Sequence, residues 1–253
     1  MTAETLLEVS NLQIKYGAAT AVRGANMKIQ RGELVAVIGN NGAGKTSILR
    51  GVSGLVRPAG GTVTFKGSDT TNLGAHKKVA LGLALIPEGR MIFPNQSVQD
   101  NLILGAYGRW NRDRSGVMAD MERVLELFPR LKERFSQQAG NMSGGEQQML
   151  AIARGLLSKP DFLMIDELSL GLAPKVVDQL MDVLRNLNSE GLTILLVEQL
   201  AAQALAIADR AYVVANGLTT MEGSAREMLN DRQVMEAFLG TKQVPDSQKS
   251  TAK

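Results

Sequence analysis

The sequence lacks cysteine altogether and has a single histidine, His76. No cysteine means no disulfide framework and no thiolate metal site, which fits a cytosolic chain. His76 lies in a polar stretch and reads as a surface residue. No run approaches the roughly 20 apolar residues of a membrane span. The longest apolar runs, around Val79 to Ile86 and Thr193 to Val197, have the length of strands. Met1-Thr2-Ala3-Glu4-Thr5 has no cationic region leading into an apolar one, so it does not read as a secretory signal. No dense Lys/Arg block is present and the formal net charge is only +3, so a nucleic-acid partner is not expected. Apolar residues make up 44% of the 253, enough for a real hydrophobic core. No internal repeat is visible.

What the chain does have is Gly39-Asn40-Asn41-Gly42-Ala43-Gly44-Lys45-Thr46. The β-branched run Leu34-Val35-Ala36-Val37-Ile38 precedes it and the helical Ser47-Ile48-Leu49-Arg50 follows. Strand, glycine-rich turn, Lys-Thr and helix are the context of a phosphate-binding P-loop. The glycines let backbone N–H groups turn inward around a phosphate chain. The helix directs its positive end at the same anion. Lys45 adds a point charge for the β- and γ-phosphates, and the Thr46 hydroxyl can ligate Mg²⁺.

Two further segments carry chemistry. Phe162-Leu163-Met164-Ile165 runs into Asp166-Glu167. A buried parallel strand ending in Asp puts that carboxylate beside the P-loop, where it can hold Mg²⁺ directly or through water. Glu167, one residue on, faces a different way and can polarise a water aimed at the γ-phosphate. Asn141-Met142-Ser143-Gly144-Gly145-Glu146 offers a hydroxyl, exposed N–H groups and a helix start. By itself this is more often the pattern of a plain helix cap, and its position shortly before an apolar strand ending Asp-Glu is what favours an anion cradle.

The remaining chain reads as an α/β protein. Early strands cover Leu6 to Tyr16, Ala21 to Ile29 and Thr62 to Phe65, giving an N-terminal antiparallel β-subdomain. Leu83 to Ile86 is a strand stopped by Pro87. From about Glu88 to Ser158 the pattern becomes helical, with Val98-Gln99-Asp100-Asn101-Leu102 opening one helix, Met118 to Phe128 forming a second and Gly145 to Leu157 a third. This reads as a helical subdomain inserted in the α/β core. Strands then alternate with helices: Phe162 to Ile165, helix Val176 to Leu187, strand Thr193 to Val197, helix Ala201 to Ala208, strand Ala211 to Ala215 and an Asn216-Gly217 turn. That alternation implies a mainly parallel sheet with helices on both faces. Arg226 to Leu239 should hold one or two short helices. The polar tail, residues 241–253, is expected to be disordered.

P-loop, Ser-Gly-Gly-Glu-Gln segment and Asp-Glu strand, in that order, resemble the ATP-binding domain of ABC transporters over about residues 6–240. The resemblance implies a P-loop NTPase core that binds ATP and Mg²⁺ and hydrolyses ATP. It implies face-to-face pairing with a second ABC ATPase, identical or related, each ATP lying between one P-loop and the other subunit's Ser143-Gly144-Gly145 equivalent. It further implies that Tyr16 stacks on adenine and that Glu88 stands where most members have a glutamine linking Mg²⁺ to the membrane-subunit contact. Gln199 stands where most have a histidine touching the γ-phosphate. Gln199 can donate a hydrogen bond but cannot carry a proton at neutral pH, which leaves Glu167 as the general-base candidate. Ala173 replaces a common Asp, Leu168 a common proline and Met142 the usual leucine.

The Pro-Glu-Gly-Arg, Ser-Leu-Gly-Leu-Ala-Pro and Leu-Leu-Val-Glu-Gln stretches resemble one ATPase of bacterial branched-chain amino-acid importers. That implies docking from the cytoplasmic face on two membrane-spanning permease subunits, with a periplasmic binding protein delivering solute. Urea and short-chain amide importers carry similar ATPases. A soluble, non-transport ABC ATPase and a small-molecule P-loop kinase are the other readings, the second having no use for the Ser-Gly-Gly segment.

Overall fold

The computed structural model describes residues 4–231 and residue 234. Two long strands open the chain: β1, Thr5–Tyr16, pairs antiparallel with β2, Ala19–Gln30. They lead into β3, Leu34–Ile38, every residue of which is buried. Helix α1, Lys45–Val52, follows the glycine-rich turn. Strands β4, Gly60–Phe65, and β5, Ser68–Asp69, extend the antiparallel half beyond β1. A short helix α2, Ala75–Ala80, then leads to β6, Leu83–Ile86.

The described chain between β6 and the next strand is helical wherever it is regular. It holds α3, Val98–Gly105, α4, Tyr107–Trp110, α5, Arg114–Leu127, α6, Pro129–Glu133, and α7, Gly144–Leu156. Helix α3 begins at a reciprocal cap in which Ser97 and Asp100 satisfy each other's backbone N–H. The chain then alternates: β7, Phe162–Asp166, α8, Pro174–Ser189, β8, Thr193–Glu198, α9, Ala201–Ile207, β9, Arg210–Ala215, β10, Leu218–Ser224, and α10, Ala225–Asn230.

The ten strands lie in the order β5-β4-β1-β2-β10-β9-β3-β8-β7-β6. From β9 to β6 all neighbours are parallel, and β10 joins this half to the antiparallel half through β2. The parallel strands are buried on both faces, so their side chains divide with period two between two cores. Val35, Val37, Phe162, Met164, Leu195 and Val197 pack toward α1 and the antiparallel strands. Leu34, Ile38, Leu163, Ile165, Ile194 and Leu196 pack toward the helices on the other face. Each such side chain contributes about 1.5–3 kcal/mol by leaving water.

This is the expected α/β architecture, with three differences. The apolar stretch from Val79 to Ile86 is not one strand: Val79 and Ala80 belong to α2, and the strand starts at Leu83. Gly82 makes the break, with φ +98° and a Cα so near Asp161 that a Cβ would sit 2.3 Å from its carboxylate. Strand β10 has no counterpart in the sequence reading, because its Leu218-Thr219-Thr220-Met221 carries little apolar alternation. Helix α5 begins earlier than Met118, at an Asp113 cap whose side chain accepts from the Gly116 N–H. Of the helices expected in Arg226 to Leu239, α10 is seen; residues 232–233, residues 235–239 and the polar tail lie outside the described residues.

Candidate nucleotide site

Three parallel strands, β3, β7 and β8, end side by side, and the turns leaving them form the site. Ile38 pairs with Glu198, and Asp166 with Val197. The first turn must be built from glycine at particular points. A Cβ on Gly39 would lie 2.2 Å from the Val214 carbonyl oxygen of β9. Gly42 and Gly44 have φ of +77° and +107°, the left-handed region that side chains disfavour. The turn is tied to the β9–β10 hairpin: the Gly217 N–H donates to Ala43 O at 2.8 Å, and the Arg23 N–H to Gly217 O at 2.7 Å.

Helix α1 starts at Gly44 without any side-chain cap. Its first N–H groups therefore lack the partner that an N-cap side chain supplies elsewhere, which suits an anion. Lys45 is buried, with Nζ folded back to donate to Gly39 O at 2.7 Å and Asn40 O at 3.3 Å. Burial pushes its pKa down, and the carboxylates of Glu167, Asp166 and Glu198 oppose that shift. Its ammonium is thus held inside the loop by carbonyl oxygens that a phosphate can replace. Asn40, Asn41 and Gly42 are solvent-exposed along the open side of the same turn.

Thr46 Oγ1 donates to Asp166 Oδ1 at 3.2 Å. Hard oxygen ligands at about 2.1 Å from Mg²⁺ in an octahedron stand about 3 Å apart, so this pair fits two adjacent positions. Burial raises the Asp166 pKa to about 6, with the nearby charges of Glu167 and Glu88 adding to the rise. A carboxylate in that setting gains from a cation. No group of three or more His, Cys, Asp or Glu side chains able to hold a metal occurs among the described residues. Any Mg²⁺ here would therefore depend on phosphate and water oxygens as well as protein.

Glu167 is half-buried and adopts φ +52°, rare for a residue with a side chain. Its N–H donates to Val197 O at 2.9 Å, tying the residue to the end of β8. Gln199 is half-buried just past the end of β8. Glu88 is exposed and close enough to Asp166 to influence its charge. Tyr16 is 42% exposed at the end of β1, so it is not a core tyrosine.

The remaining candidates lie apart. Ser143, Gly144 and Gly145 form the N-terminus of α7, and among the described residues no hydrogen bond or ion pair joins them to the P-loop. Ser143 is engaged in a reciprocal cap: its N–H and hydroxyl donate to Glu146 Oε2 at 2.9 and 2.8 Å, and the Glu146 N–H returns to Ser143 Oγ at 3.4 Å. Sequence reasoning missed Glu198, which is fully buried among these loops. The signal was present: Thr193 to Val197 ends in a carboxylate just as Phe162 to Ile165 does.

A family profile described as "ABC transporter" matches residues 22–169. The chain belongs to the ABC transporter family. It is 42% identical to the high-affinity branched-chain amino acid transport ATP-binding protein BraG of Pseudomonas aeruginosa, across 93% of this chain and all of that one. It is 34% identical to a probable branched-chain amino acid transport ATP-binding protein, LivF, of Archaeoglobus fulgidus, across 93% of this chain and 99% of that one. Among solved structures, a nucleotide-free ATP-binding cassette from an ABC transporter shares its fold at TM-score 0.82 and 24% identity, covering 94% of this chain and all of the other. An ADP-bound cassette matches at 0.80 and 24%, covering 94% and 99%. Like the α/β cassette of that family, this ABC ATPase carries its P-loop on the parallel half of the sheet. No helix among its described residues is long and apolar enough to cross a membrane.

Proposed function

We propose that this ABC ATPase powers import of branched-chain amino acids, hydrolysing ATP on the cytoplasmic face of the membrane while separate permease subunits carry the solute. One observation carries the hydrolytic part: Lys45, the Thr46–Asp166 pair and Glu167 meet at the ends of three adjacent strands. The solute class is supported by the relatives that align with nearly the whole chain.

In this reading the α1 N-terminus and Lys45 bind the phosphates of ATP, and Tyr16 stacks on the base. Thr46 and Asp166 would hold Mg²⁺, with Glu88 toward its outer side; the ion would offset charge on the phosphate oxygens. Glu167 orients or deprotonates the attacking water, and Gln199 donates a hydrogen bond to the γ-phosphate. Ser143, Gly144 and Gly145 serve an ATP held by a second ATPase subunit, identical or related, so turnover requires the two to close. The helical segment of about residues 88–158 passes that motion to the permease.

Glu167→Gln keeps the shape and removes the base. Turnover by the assembled transporter should fall roughly 10²–10⁴-fold while ATP still binds. Near-normal turnover would take the role from Glu167. Uptake of labelled leucine, isoleucine and valine into cells lacking this chain tests the solute: loss of urea or amide uptake instead would reassign it.

A further inference from the structure

We propose that Glu198 is a positioning residue for hydrolysis, clamping the loop after Glu167 to the end of β8 so that Glu167 and Gln199 are held as one unit. The inference rests on the ATPase reading above and adds a residue to it.

The other β8 side chains from Ile194 to Val197 are apolar and buried. Glu198 breaks that pattern with a carboxylate that is 0% exposed. A buried carboxylate persists only when its oxygens are satisfied. Here Oε1 accepts from the Ser169 N–H at 2.8 Å, and Oε2 accepts from the Ser169 hydroxyl at 2.7 Å and the Gln199 N–H at 3.2 Å. These donors come from two loops, one leaving β7 and one leaving β8. A fully satisfied buried network of this kind rigidifies what it joins.

What it joins bears on the reacting group. Glu167 sits between two anchors: its own N–H on Val197 O, and Ser169, two residues on, fixed to Glu198. A left-handed φ of +52° at a non-glycine residue is strained and persists only where the surroundings over-determine it. Glu198 supplies that constraint. It also lies close enough for its charge to be felt at Lys45 and for Glu167 to be felt at Glu198, although it reaches neither by a hydrogen bond. Its role is therefore to aim its neighbours, not to touch the phosphate.

Glu198→Gln is isosteric but turns one acceptor into a donor, so that in either amide orientation an N–H group faces a backbone N–H, that of Ser169 or that of Gln199. Ser169→Ala removes the hydroxyl alone. In the assembled transporter, Glu198→Gln should lower kcat roughly 10- to 100-fold, the scale of a small misplacement of a reacting group. The ATP affinity of the isolated chain should stay within about twofold. Ser169→Ala should lower kcat by a smaller factor, and the double variant should be no worse than Glu198→Gln alone, the signature of one shared network. Wild-type kcat in Glu198→Gln, or losses that combine additively, would overturn the proposal. So would an equal loss of ATP affinity and thermal stability, because that is what a purely structural residue gives. If Glu198→Gln does not fold, unchanged kcat in Ser169→Ala overturns it instead. Normal turnover in Glu167→Gln would break the underlying reading, whereas a dead Glu167→Gln beside a normal Glu198→Gln breaks only this inference.

Discussion

Two helix N-termini, those of α1 and α7, are proposed above to meet phosphate, and they are finished differently. At α1 the capping position is Gly44, no side chain satisfies the first N–H groups, and a cation, Lys45, is held in the turn. At α7 the capping position is Ser143, whose hydroxyl is already paired with Glu146. Glu146 puts a negative charge in the first turn and is itself bound by Arg134 at 2.8 Å. An acid there offsets the positive helix end that would otherwise attract an anion. So α1 has N–H groups free of any side-chain cap and a cation beside them, and α7 is a satisfied terminus whose hydroxyl must exchange partners to meet a phosphate. The difference fits a division of labour in which α1 captures ATP and α7 meets an ATP that arrives already bound to another subunit.

The largest effect that can test this division is on nucleotide affinity. Lys45→Met should weaken ATP binding to the isolated chain roughly 30-fold or more, the scale for removing one partner of a buried charge contact. Ser143→Ala should leave that affinity unchanged and lower turnover only in the assembled transporter. Titration with a fluorescent ATP analogue separates the two. Equal weakening by both substitutions would mean that one chain uses both cradles on one nucleotide, and the comparison would fail.

A smaller effect distinguishes the glycines. Gly44 has φ +107°, and a Cβ there would lie 2.7 Å from the Ala21 backbone oxygen. Gly44→Ala should therefore cost about 1–3 kcal/mol of stability, seen as a lower urea midpoint. At Gly144 a Cβ would meet only the end of the Arg90 side chain, 3.0 Å away, on helical backbone. Gly144→Ala should be nearly neutral, because alanine's helix preference of up to about 1 kcal/mol offsets the displacement. A large loss at Gly144 would show that α7 is as tightly specified as the P-loop turn.

The two regions were also unequally legible in the sequence. The P-loop is local: strand, glycines, Lys45 and Thr46 lie within thirteen residues, Leu34 to Thr46, and each has a steric or charge reason to be there. The strands β3, β7 and β8 announce themselves as short apolar runs because both of their faces are buried. What sequence reading missed depends on contacts distant along the chain. Glu198 looks like the polar end of a strand until Ser169 is seen bonded to it. Strand β10 is written in mixed residues, since four of its seven are exposed and its place comes from pairing with β9. Lys78 looks like a surface lysine, yet α2 buries it so that Nζ donates to Val52 O at 2.7 Å, at the end of α1, with burial lowering its pKa to about 8. The Ser-Gly-Gly segment was legible as a cap and, through family resemblance, as a phosphate contact; the structure shows the cap.

The smallest expected effect concerns that cap. Ser143→Ala removes the hydroxyl that accepts from the Glu146 N–H, and loss of such a cap costs about 1 kcal/mol. Thermal unfolding of the isolated chain without nucleotide should register this as a lowered midpoint. ATP at 100 times its Kd should then stabilise wild type and variant by the same increment, about 2.7 kcal/mol, since only the α1 seat is filled in a lone chain. Lys45→Met should do the reverse, losing about two-thirds or more of the ATP increment at that concentration, because ATP then stands at only about three times its Kd or less. A smaller ATP increment in Ser143→Ala would mean that nucleotide reaches α7 without a partner, and α1 would then be only part of the seat.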